Sequence, residues 1–311
     1  MGTGGKDKFS LSNISDMTVH QFDVRTEMKR VLNRFPERTL RQHNTLLLSL
    51  NYDGLPLYKS SSKVFWPILA TFRNLIPTII FPLLICFGTS KPSNLLFLNP
   101  LIDQLNTVIS NGLKVKGLQF KVFLNSIVAD APARAHLKQV KGHGGYYGCG
   151  HCTEKGKRVD RRIIYRKTKN LTPRTDHSFR TKSQENHHIG NTPMCNIFGL
   201  DMIKDWSVDY MHSCCLGVMK KLLLIWCRGE KHLRLPAYKI LELNRRLSAI
   251  KSGIPSDFVR KPRGLDEIDR WKATELRQAG IAFTSSQRLL FSIYIYIVQR
   301  ILRSCDVKHY V

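Results

Sequence analysis

Four apolar runs of strand length lie between Thr45 and Ala129, and they constrain the fold more than any other feature of the chain. They are Thr45–Tyr52 (TLLLSLNY), Val64–Phe72, Thr78–Phe87 and Leu118–Ala129. In the last, Phe120, Val122 and Leu124 alternate as in a strand with one buried face. Between the third and fourth runs, Leu101, Ile102, Leu105, Val108 and Ile109 recur at helical spacing over Asn99–Gly112. A second helix is expected over Ala131–Val140, with Pro132 in its first turn. Strands joined through crossover helices predict an α/β domain. Helical patterning returns at Cys214–Trp226, Tyr238–Ile250 and Asp266–Phe283. Residues 1–44 are polar, with weak helical spacing over His20–Arg34, and read as a lead-in segment.

Charge narrows the partner. Lys and Arg number 49 against 23 Asp and Glu, a formal charge of +26, which calls for an anionic partner and most often means nucleic acid. Much of it lies between Lys138 and Lys182, where thirteen basic residues meet only Glu154, Asp160 and Asp176. That stretch reads as a loop-rich insertion. Its runs Lys155–Arg162 (KGKRVDRR) and Arg166–Lys169 (RKTK) suit phosphate contact or nuclear import, or are simply solvated. The longest apolar run, Leu75–Phe87, has 13 residues and two prolines, against about 20 apolar residues for a membrane-spanning helix. No membrane partner is expected. The opening MGTGGKDKFS is no secretory signal, and Lys6 stands where a myristoylation signal needs Ser or Thr. Eight cysteines with a single CxxC pair are read as thiols in a reducing, intracellular compartment. The chain has no P-loop, GxGxxG, GxSxG or HExxH pattern, which sets aside the commonest nucleotide-binding, serine-hydrolase and zinc-protease readings.

Several residues carry the chemistry these patterns allow. Asp53 and Asp130 each stand where an apolar strand stops, and sites in open α/β sheets form beyond strand ends. Brought together, they would bind a hard divalent cation; taken singly, each is ordinary turn or helix-cap chemistry. Cys149 and Cys152 have zinc-ligand spacing, with His151, His187, His188, His212, Cys214 and Cys215 as candidates to complete the site. The same pair could be a redox CxxC or two unlinked thiols, although no thioredoxin-like context surrounds it. Glu275 sits on an expected helix beside Lys272 and Arg277, either at a phosphate site or as a surface Glu paired with Lys272.

Five blocks in order complete the pattern: SLNYDGLPLYKSSS (49–62), ADAPARAHLKQVKGHGGYYGCGHCTEKG (129–156), RTDHSFR (174–180), VDYMHSCCLGVMKKLLL (208–224) and RKPRGLDEIDRWKATELRQ (260–278). Together, over roughly Leu46–Thr284, the chain resembles the transposase-like proteins of animal genomes related to CACTA-type cut-and-paste transposons. The resemblance implies an RNase H-like core, a mixed sheet flanked by helices, carrying a zinc-binding, basic, largely helical insertion. It implies an Asp-Asp-Glu triad of Asp53, Asp130 and Glu275 holding two Mg²⁺ or Mn²⁺ ions for phosphodiester cleavage and strand transfer. Glu267, Asp269 and Asp209 lie near enough to compete for the third place. It implies structural Zn²⁺ on Cys149, Cys152 and His212, with Cys215 as fourth ligand or else His187 or His188. DNA would be the partner, held through Lys155, Lys157, Arg158, Arg161, Arg162 and Lys272, and the protein would be nuclear and a homo-oligomer.

On this reading residues 45–140 begin the core, 141–258 form the insertion, 259–285 supply the final core helix and 286–311 are an atypical tail. Only 52 residues precede Asp53, so 1–44 would be the remnant of a longer N-terminal region. The alternative expectation is a truncated, catalytically inactive module that retains DNA or protein binding.

Overall fold

The structure is a computed structural model that describes residues 11–14, 17–57, 62–165, 171–256, 258 and 260–283. The chain divides into two compact units, residues 1–207 and 208–311.

The first unit is mixed α/β. Its strands are β1 (Leu11–Ile14), β2 (Met17–Gln21), β3 (Thr45–Tyr52), β4 (Leu55–Pro56), β5 (Val64–Phe72), β6 (Ile80–Gly88), β7 (Leu113–Val115), β8 (Leu118–Ala129), β9 (Lys157–Val159), β10 (Arg162–Ile164) and β11 (Trp206–Val208). Its helices are α1 (Val24–Leu32), α2 (Glu37–Leu40), α3 (Asn99–Asn111), α4 (Ala131–Lys138) and α5 (Asp176–Arg180). Among the described residues, nine strands form one sheet in the order β1-β2-β6-β5-β3-β8-β11, with β4 on β5 and β7 on β8. The pairs β3–β5 and β5–β6 are antiparallel, whereas β3 and β8 run parallel. The apolar runs of the sequence are thus the middle of the sheet.

Helices α1 and α3 pack on this sheet and on one another. On α3 the buried residues are Leu101, Ile102, Leu105 and Val108; on α1 they are Val24, Met28, Val31 and Leu32. The Gln104 side-chain oxygen accepts the Val24 N–H at 2.9 Å, joining the two helices. Residues 17–44 are therefore part of the core rather than a lead-in: β2 pairs with β6, and α1 closes the apolar face. Of the expected insertion 141–258, the helical part lies in 211–250, whereas the stretch 141–205 is mostly loop. Its α-helix among the described residues is α5 alone, and short backbone pairings hold the rest, such as Cys152 with Pro173 and Val140 with His188.

The second unit is helical. A π-helical segment, Met211–Met219, runs into α6 (Lys220–Arg228), followed by α7 (Ala237–Ile250), a 3₁₀ turn at Leu265–Arg270 and α8 (Ala273–Phe283). Met219, Leu223, Leu247, Ile268, Trp271 and Leu276 share its core. No helix among the described residues is long and apolar enough to cross a membrane. The tail 286–311 lies outside the described residues.

Candidate catalytic and metal-binding residues

Asp53 and Asp130 come together through strand register. The last paired residues of β3 and β8 are Tyr52 and Ala129, so the two acids follow side by side where adjacent parallel strands end. Adjacent strands lie about 4.8 Å apart. The alignment depends on a bulge. Leu48 pairs with Leu124, but Ser49 pairs with Ser126, so Asn125 is an extra residue in β8. Were Asn125 paired with Ser49 in an unbroken register, Asp53 would face Ala129. The hydroxyls of Ser49 and Ser126, buried and 2.7 Å apart, fix the shifted register. The Asn51 amide adds a bond to the Val128 carbonyl at 3.2 Å.

Each acid also has a local partner. Asp53 Oδ1 accepts the Gly54 N–H at 2.8 Å. A Cβ at Gly54 would lie 2.7 Å from the Trp66 ring, so glycine is what lets the chain pass that ring beside Asp53. Asp130 is the N-cap of α4, and its Oδ1 accepts the Ala133 N–H at 2.7 Å. The cap role anticipated for an Asp at this position is real, and it coexists with the pairing.

His136, which no motif singled out, braces this end of the sheet. Its Nε2–H donates to the Pro92 carbonyl at 3.0 Å, leaving Nδ1 to accept the Tyr52 hydroxyl at 3.3 Å. Burial, with the charge of Lys91, pushes its pKa down to about 4, so the ring is neutral at physiological pH. Burial likewise drives the Tyr52 phenol upward.

Glu275 belongs to the second unit and is buried. Arg263 grips it from both sides, Nε to Oε1 at 2.7 Å and Nη2 to Oε2 at 3.0 Å. Oε2 also accepts the Lys272 N–H at 2.8 Å. Burial pushes the carboxyl pKa up, but the Arg263 and Lys272 bonds outweigh it and the net shift is downward. Glu275 is therefore an ion-paired helix-start residue here, with both oxygens engaged. Its sequence partner is the Lys272 backbone, whereas the Lys272 side chain is exposed.

The Cys149 and Cys152 thiols lie 3.4 Å apart, close to the sulfur spacing of one tetrahedral ion. The described cysteines are free thiols. Thr153 N–H to Thr172 O (3.1 Å) and Arg174 N–H to His151 O (2.9 Å) staple this turn in place. His187 donates Nδ1–H to the Tyr147 carbonyl at 2.6 Å, so its buried Nε2 carries the lone pair and has no hydrogen-bond partner among the described residues. A histidine so oriented is a metal-ligand type. In the second unit, His212 Nδ1 faces Asp209 Oδ2 at 2.7 Å, and Cys215 is buried in the π-helical segment. Among the described residues no three His, Cys, Asp or Glu side chains converge closely enough to hold a metal ion.

The basic residues of the insertion share one exposed element. Strands β9 and β10 form a hairpin whose turn, Asp160-Arg161, has φ of 44° and 64°. Positive φ at both turn positions gives the twist a two-residue hairpin needs. Lys157, Arg158, Arg161 and Arg162 are all exposed on it, with Lys155 just before. Arg166–Lys169 lies outside the described residues. No protein-family model matches the chain, and no curated protein matches it.

Proposed function

We propose that the chain is a transposase-like DNA-processing protein of the nucleus, related to CACTA-type elements and built on an RNase H-like core. The observation that carries this reading is the register that sets Asp53 beside Asp130 at the ends of parallel β3 and β8. The strand order β6-β5-β3-β8-β11, antiparallel on one side of β3 and parallel on the other, supports the same core.

Asp53 and Asp130 would suit Mg²⁺ or Mn²⁺, since hard cations take carboxylate oxygens, even though each acid already gives Oδ1 to one backbone N–H. Such ions, when bound, supply activation of a hydroxyl nucleophile and stabilisation of the leaving oxygen. Glu275, as it stands, does not fit as a third ligand, because Arg263 and the Lys272 N–H occupy its oxygens. The protein's own part is to hold the two carboxylates level and to grip the DNA backbone through the β9–β10 hairpin. Phosphate contacts of that kind position the duplex without reading its sequence.

The test is cleavage of a labelled DNA duplex with Mn²⁺, wild type beside Asp53→Asn. Cleavage by the wild type alone is the expected result. A folded, DNA-binding wild type that never nicks DNA would sink the enzymatic reading. It would favour the second one, a DNA-binding module without catalysis, for which the engaged carboxylate of Glu275 is the supporting observation.

Zinc belongs to the same proposal. Cys149 and Cys152 would hold it; the same unit also carries the buried Nε2 of His187 with no hydrogen-bond partner among the described residues, although it does not converge with the two thiols as the structure stands. Purified protein is expected to contain zinc. Cys149→Ser is expected to lose it and to melt about 10 °C lower, the shift that ~3 kcal/mol produces in a domain of this size. Metal-free wild type, or an unchanged melting point in the variant, would remove the site.

A further inference from the structure

The basic β9–β10 hairpin is joined to a glycine-rich loop, residues 142–150 (GHGGYYGCG), and the two are folded tightly together. Within the loop, Gly145 N–H donates to the Gly142 carbonyl at 2.9 Å and Gly148 N–H to the Gly145 carbonyl at 3.1 Å. A Cβ at Gly148 would lie 2.0 Å from the Gly142 carbonyl oxygen, so the turn closes only around glycine. Tyr165, directly after β10, reaches back to it: its hydroxyl donates to the Gly145 carbonyl and accepts the Gly148 N–H. Gly156, just before β9, donates its N–H to the Tyr146 carbonyl at 2.6 Å.

The loop fixed in this way displays two tyrosines among cations. Tyr146 is 44% exposed, although an aromatic ring on a tightly bonded loop gains nothing from water. Tyr147 is half-buried, and His187 holds its carbonyl at 2.6 Å. The Lys155 ammonium lies 5.9 Å from the Tyr146 ring centre and 6.0 Å from that of Tyr147, and the Lys141 ammonium lies 5.7 Å from the Tyr147 ring centre. Lys157, Arg158, Arg161 and Arg162 continue the positive surface along the hairpin. Phosphate contacts alone need no ring. An exposed ring rimmed by ammonium groups suits a nucleobase stacked on the ring and the adjoining phosphates on the cations. Bases within a duplex are already stacked on their neighbours, so an unpaired strand is what such a ring can take.

We propose that Tyr146 is a stacking platform for an unpaired DNA base, with Lys155 and Lys141 holding phosphates of the same strand. This rests on the proposed function in taking DNA as the partner, and it adds a contact that an intact duplex cannot make.

The experiment measures fluorescence anisotropy of three labelled ligands with the full chain: a single-stranded oligothymidylate, an abasic strand of equal length and a duplex. Wild type is expected to bind the oligothymidylate about tenfold tighter than the abasic strand, the range that one base stacked on an aromatic ring supplies. Tyr146→Leu is expected to bind both single strands at the abasic level with duplex affinity unchanged, and Tyr146→Phe to keep the wild-type difference. Lys155→Gln is expected to weaken both single strands equally and to lower the salt slope by about one. Under light, a strand carrying iodouracil is expected to attach to the wild type at Tyr146, a readout that needs no variant to fold. Attachment elsewhere, equal binding of the two single strands by wild type, or a Tyr146→Leu protein that keeps their difference would overturn the platform. So would a Tyr146→Leu protein that loses as much affinity for duplex as for single strand. If wild type binds none of the three ligands, DNA is the wrong partner and the proposed function falls with the platform. None of these readouts requires that the protein cleave DNA.

Discussion

Asp130→Asn is expected to lower Mn²⁺-dependent DNA cleavage by about 10³-fold while leaving the melting temperature where it was. The two halves of this expectation come from the two roles of one side chain. As N-cap of α4, Asp130 accepts the Ala133 N–H through Oδ1. Asn caps a helix as well as Asp does, so its amide oxygen can take over that bond. What Asn cannot supply is the negative charge beside Asp53. Asp130→Ala removes both roles and should cost about 1 kcal/mol of stability in addition. Cleavage assays and melting curves on both variants separate chemistry from capping. An Asn variant that cleaves as fast as the wild type would show that Asp130 is only a cap.

The next largest effect is expected in the second unit. Glu275→Ala should destabilise it by about 2 kcal/mol, seen as an earlier melting transition. Removing one member of a buried pair usually costs more, but the Arg263 side chain is 29% exposed and can rehydrate. The pairing also sets an acid limit. Burial raises the Glu275 pKa, the Arg263 and Lys272 bonds lower it further, and the folded value ends below the unfolded one. The stabilisation is therefore complete above the ordinary Glu value of about 4.3 and is lost as pH falls through the lower, folded value. Glu275→Gln should flatten that part of the stability–pH curve. If Glu275→Gln also abolishes cleavage while its unit stays folded, Arg263 must release the carboxylate during the reaction. If cleavage is untouched, Glu275 is structural.

How far the sequence foretold this molecule depended on the range of the interactions concerned. The runs at Thr45–Tyr52, Val64–Phe72 and Leu118–Ala129 match β3, β5 and β8 at both ends, because burial on a central strand demands continuous or alternating apolar residues. Strand β11 escaped notice, since three residues, Trp206–Val208, carry no period and owe their place to backbone bonds at a sheet edge. The helical spacing of Val24, Met28, Val31 and Leu32 was visible, but their burial against α3 and the sheet was not. At the candidate site, strand ends pointed to Asp53 and Asp130 one at a time. Their alignment hangs on a bulge at Asn125, and no local pattern announces a bulge between two strands so far apart in sequence. Arg263 was missed as the partner of Glu275 because it lies twelve residues upstream, beyond the reach of helical spacing rules.

The parallel pairing of β3 with β8 has a consequence for how the molecule comes into being. Strands β3, β5 and β6 are neighbours along the chain and can associate as soon as they leave the ribosome, whereas Tyr52 waits for Ala129. Bringing β8 back across the intervening strands and α3 costs entropy before any long-range contact offsets it, and such closures are slow steps in folding. A nascent chain that has not yet reached Leu118 would carry Asp53 without its neighbour. The carboxylate pair is thus assembled late, after the antiparallel half of the sheet has formed the surface on which β8 docks.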